Sequence, residues 1–561
     1  MKIVDTRRIT GPSLFTNNSG AMLDIDIPNI RQDEFLQVWH QSIQYVLSGV
    51  GWSKESTSTR HFEGGLSLFI SAPIDALYSA CAVNETAFEL ALLVLNGGEL
   101  YLDSGKFTEL KKEISDELNP VLIELNNAAD LHNIRFLQSD DIVSVGTGTG
   151  SQQFIVENIP SIAEIDWNSV HDVRVVLITG TNGKSTTVRL MESIMVQAGI
   201  KSGASSTDGI RINLETVETG DYSGPEGARA TLRNNDVETA ILEVARGGIL
   251  RRGLPVMNVQ AAIITNVAVD HFGDYGVNSI EDMVATKFVI RYGLSKDGIL
   301  VLNADDNKIV KYAQCVTHEI CWFSLDSSNR IIVDHINKGN RACVIEDEQI
   351  VYYTKGKKSV IINYHQIPLT MNGAAVYNIE NSLGAVALAK ALDIDDEHII
   401  KSLSEFGISN DDNPGRANIY NKNGIKILMD FAHNPHGMDA LATLVNNISS
   451  KRVMLLIGQA GDRSNDDITN LVNSSAKINP DKVIISEIPN YLRGRELGEV
   501  PALISRNFKH NGLSEKAMIY TNNMLEGVKK TLEIAEKGDL LVLLCLDQKK
   551  EILQYLKNEI D

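Results

Sequence analysis

The chain has 561 residues, of which 43% are hydrophobic and 22% charged, the make-up of a globular protein long enough for three domains. With 72 acidic against 52 basic side chains its net charge is −20, which excludes nucleic acid and an anionic membrane surface as main partners. The cysteines (Cys81, Cys315, Cys321, Cys343 and Cys545) form no C-x-x-C pair, so free thiols in a reducing cytoplasm are expected rather than disulfides or zinc.

The opening Met1-Lys-Ile-Val-Asp-Thr-Arg-Arg lacks the apolar core of a signal peptide, and the longest apolar runs, such as 540–546, are of strand length, so no membrane span is expected. Residues 1–168 read as an α+β unit. A strand covers Ala21-Met-Leu-Asp-Ile-Asp-Ile, and helices cover 34–47 and 76–95. The run 143–152, with Gly-Thr-Gly-Thr-Gly-Ser, reads as flexible or turn-rich.

A second unit, 169–414, opens with the apolar strand Val175-Val-Leu-Ile-Thr. Gly180-Thr181-Asn182-Gly183-Lys184-Ser185-Thr186 follows, and then a helical pattern. This is strand, phosphate loop, helix. Glycines turn backbone N–H groups toward an anion and the helix N-terminus adds partial positive charge. Lys184 can reach outer phosphates and Ser185 can ligate Mg²⁺, although Ile178 stands where the full G-x-x-x-x-G-K-[ST] pattern has its first glycine. Nucleoside triphosphate binding is therefore expected.

Further on, Glu243 ends the buried-strand candidate 239–244, with Arg246 and Gly247-Gly248 just beyond. In a phosphate-loop sheet the strand ends face the nucleotide, so Glu243 is a candidate for Mg²⁺. Asp270-His271 follows the strand 261–267 in the same way. Lys287 lies in a helical stretch with apolar neighbours, and its residues alone read as a snorkelling surface lysine. Residues 330–370 read as an antiparallel flap. Pro414-Gly415 marks the next boundary.

The unit 415–561 reads as a second α/β sheet, with strands at 425–430, 452–458, 482–486 and 539–544. Asp430-Phe-Ala-His433-Asn434-Pro435 closes the first of these with polar groups, and Arg416 can reach back to a nucleotide between the domains. Arg463, Arg493 and Arg495 stand in loops of an acidic chain, where arginine forks suit carboxylates. Groups facing the nucleotide are split across the boundary, so a hinge is expected near 413–415. The sequence offers no Ser-His-Asp or Cys-His set and no zinc spacing, which argues against covalent catalysis by a side chain.

Taken in order, the 180–186 loop, Glu243, Thr265-Asn-Val…Asp270-His271, Lys287, Asn378…Asn381, Gly415-Arg416 and Asp430-Phe-Ala-His433-Asn434-Pro435 resemble the Mur ligase family over 170–561. Within it the likeness runs to the Mur-like part of cyanophycin synthetases, through Thr207-Asp208-Gly209, Ala228-Arg229, Ala245-Arg246-Gly-Gly-Ile-Leu-Arg251, Gly461-Asp-Arg463 and Leu492-Arg493-Gly-Arg495. The ATP-grasp module of those enzymes has no counterpart here, because the first unit runs almost directly into the phosphate-loop unit.

The resemblance implies a P-loop central Mur ligase domain and a Rossmann-like C-terminal Mur ligase domain behind the α+β unit. It implies an ATP-dependent ligase that joins an amino acid to a peptide-like carboxylate through an acyl phosphate. Lys184 would contact phosphates, while Ser185, Glu243 and His271 would hold two Mg²⁺. Lys287 falls where many members carry a carbamate. Asn378 and Asn381 would contact adenine, and Arg416 and Asp430 would grip the nucleotide. Thr207, Asp208, Arg229, Arg246, Arg251 and His433 are the substrate candidates, with Arg493 and Arg495 for the incoming amino acid. The first unit would hold substrate or a homo-oligomer interface. Two alternatives share parts of this pattern: a peptidoglycan-type or poly-glutamate-type ligase, and an ATP-binding scaffold without catalysis.

Overall fold

The structure is a computed structural model that describes residues 1–270 and 272–560. In the first unit β1 (Lys2–Ile9), β2 (Gly20–Asp26), β3 (Thr57–Phe62) and β4 (Gly65–Ser71) form an antiparallel sheet in the order β1-β2-β4-β3. Side chains alternate along β2. Ala21, Leu23 and Ile25 join Leu66, Leu68 and Ile70 beneath the helices Gln32–Val50 and Leu77–Leu95. Asp24 points to the other face, paired with Arg7 at 2.6 Å. The helix Leu77–Leu95 is apolar and long enough to cross a bilayer, but 56% of its apolar window is buried against this sheet and its neighbouring helix.

A small sheet follows, of β5 (Phe136–Gln138), β6 (Ile142–Val145) and β7 (Gln152–Ile155). The glycine-rich run between β6 and β7 is a turn, as expected, yet it is packed rather than free. Thr147 is fully buried, its N–H donates to the His171 carbonyl, and the Thr149 N–H donates to the Val237 carbonyl.

The central unit is an eleven-stranded sheet. Its strands are β8 (Arg174–Thr179), β9 (Ser202–Ser206), β10 (Gly209–Ile212), β11 (Glu215–Glu218), β12 (Thr239–Glu243), β13 (Val259–Ile264), β14 (Leu294–Asn303), β15 (Glu319–Ser324), β16 (Ala342–Glu346), β17 (Gln349–Thr354) and β18 (Lys357–Asn363). They lie in the order β11-β10-β9-β12-β8-β13-β14-β15-β16-β17-β18, with β9 through β16 of that row parallel. The parallel strands are apolar runs because both faces are covered. Val176 and Ile178 pack under the helices Lys184–Gln197 and Val376–Ala391, whereas Val175 and Leu177 pack on the opposite side. The flap expected at 330–370 is narrower than its residues suggested. It starts with a helix, Arg330–Asn337, and β16 joins the parallel row, so only β17 and β18 are antiparallel.

The last unit has β19 (Asn418–Lys422), β20 (Ile425–Asp430), β21 (Val453–Ile457), β22 (Lys482–Ser486), β23 (Met518–Thr521) and β24 (Leu540–Leu544), in the order β19-β20-β24-β21-β22-β23. All but β19 run parallel. The carboxyl ends of β8, β12 and β13 thus face the carboxyl end of β20 across one cleft, which is where parallel sheets bind ligands.

Candidate active site

The cleft encloses about 1480 Å³. Its wall begins at the phosphate loop. Gly183 caps the helix Lys184–Gln197 with φ +86°, and a Cβ there would sit 2.2 Å from Asn381 Oδ1, so this turn admits only glycine. The end of β13 braces the loop. Thr265 Oγ1 donates to the Asn182 carbonyl at 2.6 Å, and Asn266 Oδ1 accepts the Asn182 N–H at 2.9 Å. Lys184 Nζ donates to the Thr181 carbonyl at 3.0 Å. A cation on a helix N-terminus beside turned backbone amides is a phosphate cradle.

Ser185 Oγ donates to Glu243 Oε2 at 3.0 Å and lies 3.0 Å from Thr207 Oγ1. Glu243 is 1% exposed, and its Oε1 is buried without a hydrogen-bond partner. Burial pushes its carboxyl pKa up, against the pull of Lys184. A buried carboxylate with one oxygen unsatisfied, next to a hydroxyl, is the oxygen donor set that a hard cation such as Mg²⁺ takes, with phosphates supplying further ligands. The residues fit the ion.

Lys287 is 3% exposed, not the surface lysine that its neighbours alone suggest. Burial first, and then Lys184 beside it, bring its pKa down to about 7. Lys287 lines the same cavity.

The C-terminal unit closes the other side. Asn182 and Asn434 exchange amide hydrogen bonds at 3.0 and 3.3 Å, and Asn182 Nδ2 lies 2.9 Å from His436 Nδ1. Asn413, in the link before that unit, donates from Nδ2 to Thr186 Oγ1 at 3.2 Å, and Arg463 of the C-terminal unit pairs with Asp270 at 3.1 Å. Asp430 accepts the N–H groups of Ala417 and Ala432, each at 2.8 Å, and burial raises its pKa against the pull of Arg416. The Arg416 guanidinium lies 4.8 Å from the Phe431 ring centre. Asn378 Nδ2 donates to the Leu369 carbonyl, while Asn381 Nδ2 donates to Asn378 Oδ1. Both asparagines and Tyr377 line the cavity.

Most expected residues therefore meet: 180–186, Thr207, Glu243, Arg246, Arg251, Lys287, Asn378, Asn381, Arg416, Asp430, His433 and Arg493 all line the cleft. His271 lies outside the described residues. Three substrate candidates do not line the cleft. Arg229 is 4% exposed and binds Glu226 and Thr10 Oγ1. Arg495 binds Glu499 and the carbonyls of Gly461 and Arg463. Asp208 pairs with Lys549 at 2.7 Å.

Several cleft residues escaped the sequence reading, among them His436 and Glu380. His436 was legible, since it follows Pro435 at a helix start directly after the Asp430 cluster. Glu380 was not, because nothing in its neighbours marks it. Burial and the nearby Asp305 and Asp306 raise its pKa to about 7.

Residues 178–389 match the Mur ligase middle domain, and residues 415–545 match the Mur ligase, glutamate ligase domain. The chain is 36% identical over 374 residues to the cyanophycin synthetase of Geminocystis herdmanii, covering 66% of this chain and 42% of that protein. It is 34% identical over 370 residues to the cyanophycin synthetase of a Synechocystis species, with the same coverage of 66% and 42%. It is 22% identical over 386 residues to the UDP-N-acetylmuramoyl-L-alanyl-D-glutamate–2,6-diaminopimelate ligase of Bacillus cereus, covering 66% of this chain and 73% of that one. The chain thus spans about two-fifths of the length of the cyanophycin synthetases it matches. Through these two matched domains, which take up more than half of its length, the chain belongs to the Mur ligase family.

Proposed function

We propose that this chain is an ATP-dependent amide ligase that joins an amino acid to a peptide-like carboxylate. The observation that carries the reading is one cavity lined by both Mur ligase domains, and by first-unit residues such as Asp5 and Asp24: the phosphate loop, the Ser185–Glu243 pair and Lys287 come from the central domain, Arg416 and Asp430 from the C-terminal one. In the first step an acceptor carboxylate oxygen attacks the γ-phosphorus of ATP, ADP leaves and an acyl phosphate forms. In the second the incoming amine attacks the acyl carbon, inorganic phosphate leaves, and the nitrogen loses a proton to give the amide.

Both steps crowd negative charge onto oxygens, so positioned cations do most of the work. Lys184 would neutralise the transferring phosphoryl group. Ser185 and Glu243 would hold Mg²⁺, which supplies further neutralisation when bound. Lys287, with a pKa near 7, is nucleophilic at neutral pH. Adding CO₂ forms one N–C bond, releases a proton and leaves a carbamate anion in place of a misplaced cation. Asn378 and Asn381 would face adenine, and Arg416 and Asp430 would grip the nucleotide. Arg246 and Arg251 would hold the acceptor carboxylate, with Arg493 for the incoming amino acid.

The test is ADP formation by the purified protein with ATP and Mg²⁺, across a panel of amino acids and short acidic peptides, with mass spectrometry of the products. ADP release that requires both an acceptor and an amine, with a product heavier by one amino acid less water, supports the reading. Release indifferent to both overturns it.

A further inference from the structure

Asp208 stands one residue beyond Thr207, just past the end of β9. Thr207 belongs to the metal corner: its Oγ1 lies 3.0 Å from Ser185 Oγ, and its N–H is 3.5 Å from Glu243 Oε2. The Asp208 carboxylate faces three cations instead of the cavity. Lys549 Nζ donates to Oδ1 at 2.7 Å, Arg189 Nη2 lies 3.4 Å from Oδ2, and Arg416 adds its charge. Burial alone would raise the Asp208 pKa, but these cations hold it far below the usual carboxylate range.

Two of the three come from the opposite domain. Lys549 is the first residue of the last helix, Lys549–Ile560, 341 positions from its partner. Its stem crosses the interdomain link at Gly415, where φ is +72° and a Cβ would come within 2.8 Å of Lys549 Cε. The side chains of Asp208 and Lys549 are 15% and 24% exposed, so the pair is largely removed from water. Opening the cleft would strip Asp208 of Lys549 and Arg416 together and leave only Arg189, which belongs to its own domain.

We propose that Asp208 is a positioning residue: it anchors the C-terminal domain through Lys549 and so couples closure of the cleft to the corner formed by Ser185, Thr207 and Glu243. Arg416 adds its charge to Asp208 and also lines the cavity. Lys549 does not line the cavity, so it acts on ligands only through the domain it holds. The effect on turnover rests on the ligase reading above, whereas the anchor itself is a contact between two domains.

The test compares wild type, Lys549→Met and Lys549→Arg by small-angle scattering, each with Mg²⁺ and a non-hydrolysable ATP analogue and each without. Lys549→Met should have a larger radius of gyration than wild type, and Lys549→Arg should match wild type. ADP formation should fall roughly tenfold in Lys549→Met, the rate equivalent of one charged hydrogen bond, with recovery in Lys549→Arg. Asp208→Asn provides a second route to the same expansion, and thermal melts confirm that each variant is folded. Equal radii for wild type and both disruptive variants would overturn the anchor. Calorimetry of the analogue on wild type separates the two readings: absence of nucleotide binding would refute the ligase assignment, while the radii measured without nucleotide still decide the anchor.

Discussion

Replacing Lys287 by Met should stabilise the protein at neutral pH while abolishing ligation. The amine is 3% exposed and its pKa is held down to about 7 from an ordinary value of 10.5. A lysine whose pKa is lower in the folded state binds fewer protons there than in the unfolded chain. Stability therefore rises with pH between about 7 and 10.5, and the cost of the amine is fully present below that window. At ~1.4 kcal/mol per tenfold change in ionisation, that cost is on the order of 4 kcal/mol at pH 7 and on the order of 1 kcal/mol at pH 9.5. Methionine keeps a similar length and fills the space without an ionisable group. If half of the cost is recovered, about 2 kcal/mol, the thermal midpoint should rise by roughly 4–8 °C. Urea unfolding of both proteins at pH 7 and pH 9.5, in buffers freed of CO₂, measures the difference directly. Bicarbonate should restore stability to wild type alone, because a carbamate replaces the buried cation by an anion able to meet Mg²⁺. A Lys287→Met variant less stable than wild type at pH 7, or an advantage that does not shrink by pH 9.5, would refute the argument.

Lys184→Ala should remain folded and lose at least a hundredfold in ADP formation, since one main transition-state cation contributes on the order of 3 kcal/mol; near-normal turnover in the folded variant would contradict the phosphate-loop assignment. Glu380, raised to about 7 beside Asp305 and Asp306, favours folding in its protonated form. Its contribution is complete below the ordinary carboxyl pKa and is lost as pH rises through 7, so melting temperatures of wild type should decline from pH 5 to pH 8 relative to Glu380→Gln. Parallel pH profiles for the two proteins would show that the carboxyl is not held in that state.

The features legible in consecutive residues are local. The step from Val175-Val-Leu-Ile-Thr into Gly180–Thr186 and a helix is written in consecutive residues, because a phosphate loop needs its glycines, cation and hydroxyls within one turn of chain. The strand ends at Glu243 and Asp430 were legible for a similar reason: a run of apolar residues that stops at a carboxylate marks the edge of a covered parallel sheet. What each charge faces depends instead on packing between distant segments. Lys287 has the neighbours of a surface residue, and only the packing of its helix buries it in the cleft wall, within the influence of the Lys184 charge. Arg229, Arg495 and Asp208 look alike in sequence to Arg246, Arg251 and Arg493 as charged loop or helix residues, and Arg246 and Arg493 are ion-paired too, with Asp274 and Asp462, yet only the last three line the cleft. The Gly-Thr-Gly-Thr-Gly run reads as slack until Val237 and His171 arrive to bond its amides. The pair Asp208–Lys549 has no signature along the chain, because 341 residues separate its members and the attraction exists only once two domains have closed on each other. Backbone preference and hydrophobic period act over a few residues and are visible in order along the chain, whereas desolvation and charge pairing depend on distance in space, which only the assembled fold sets.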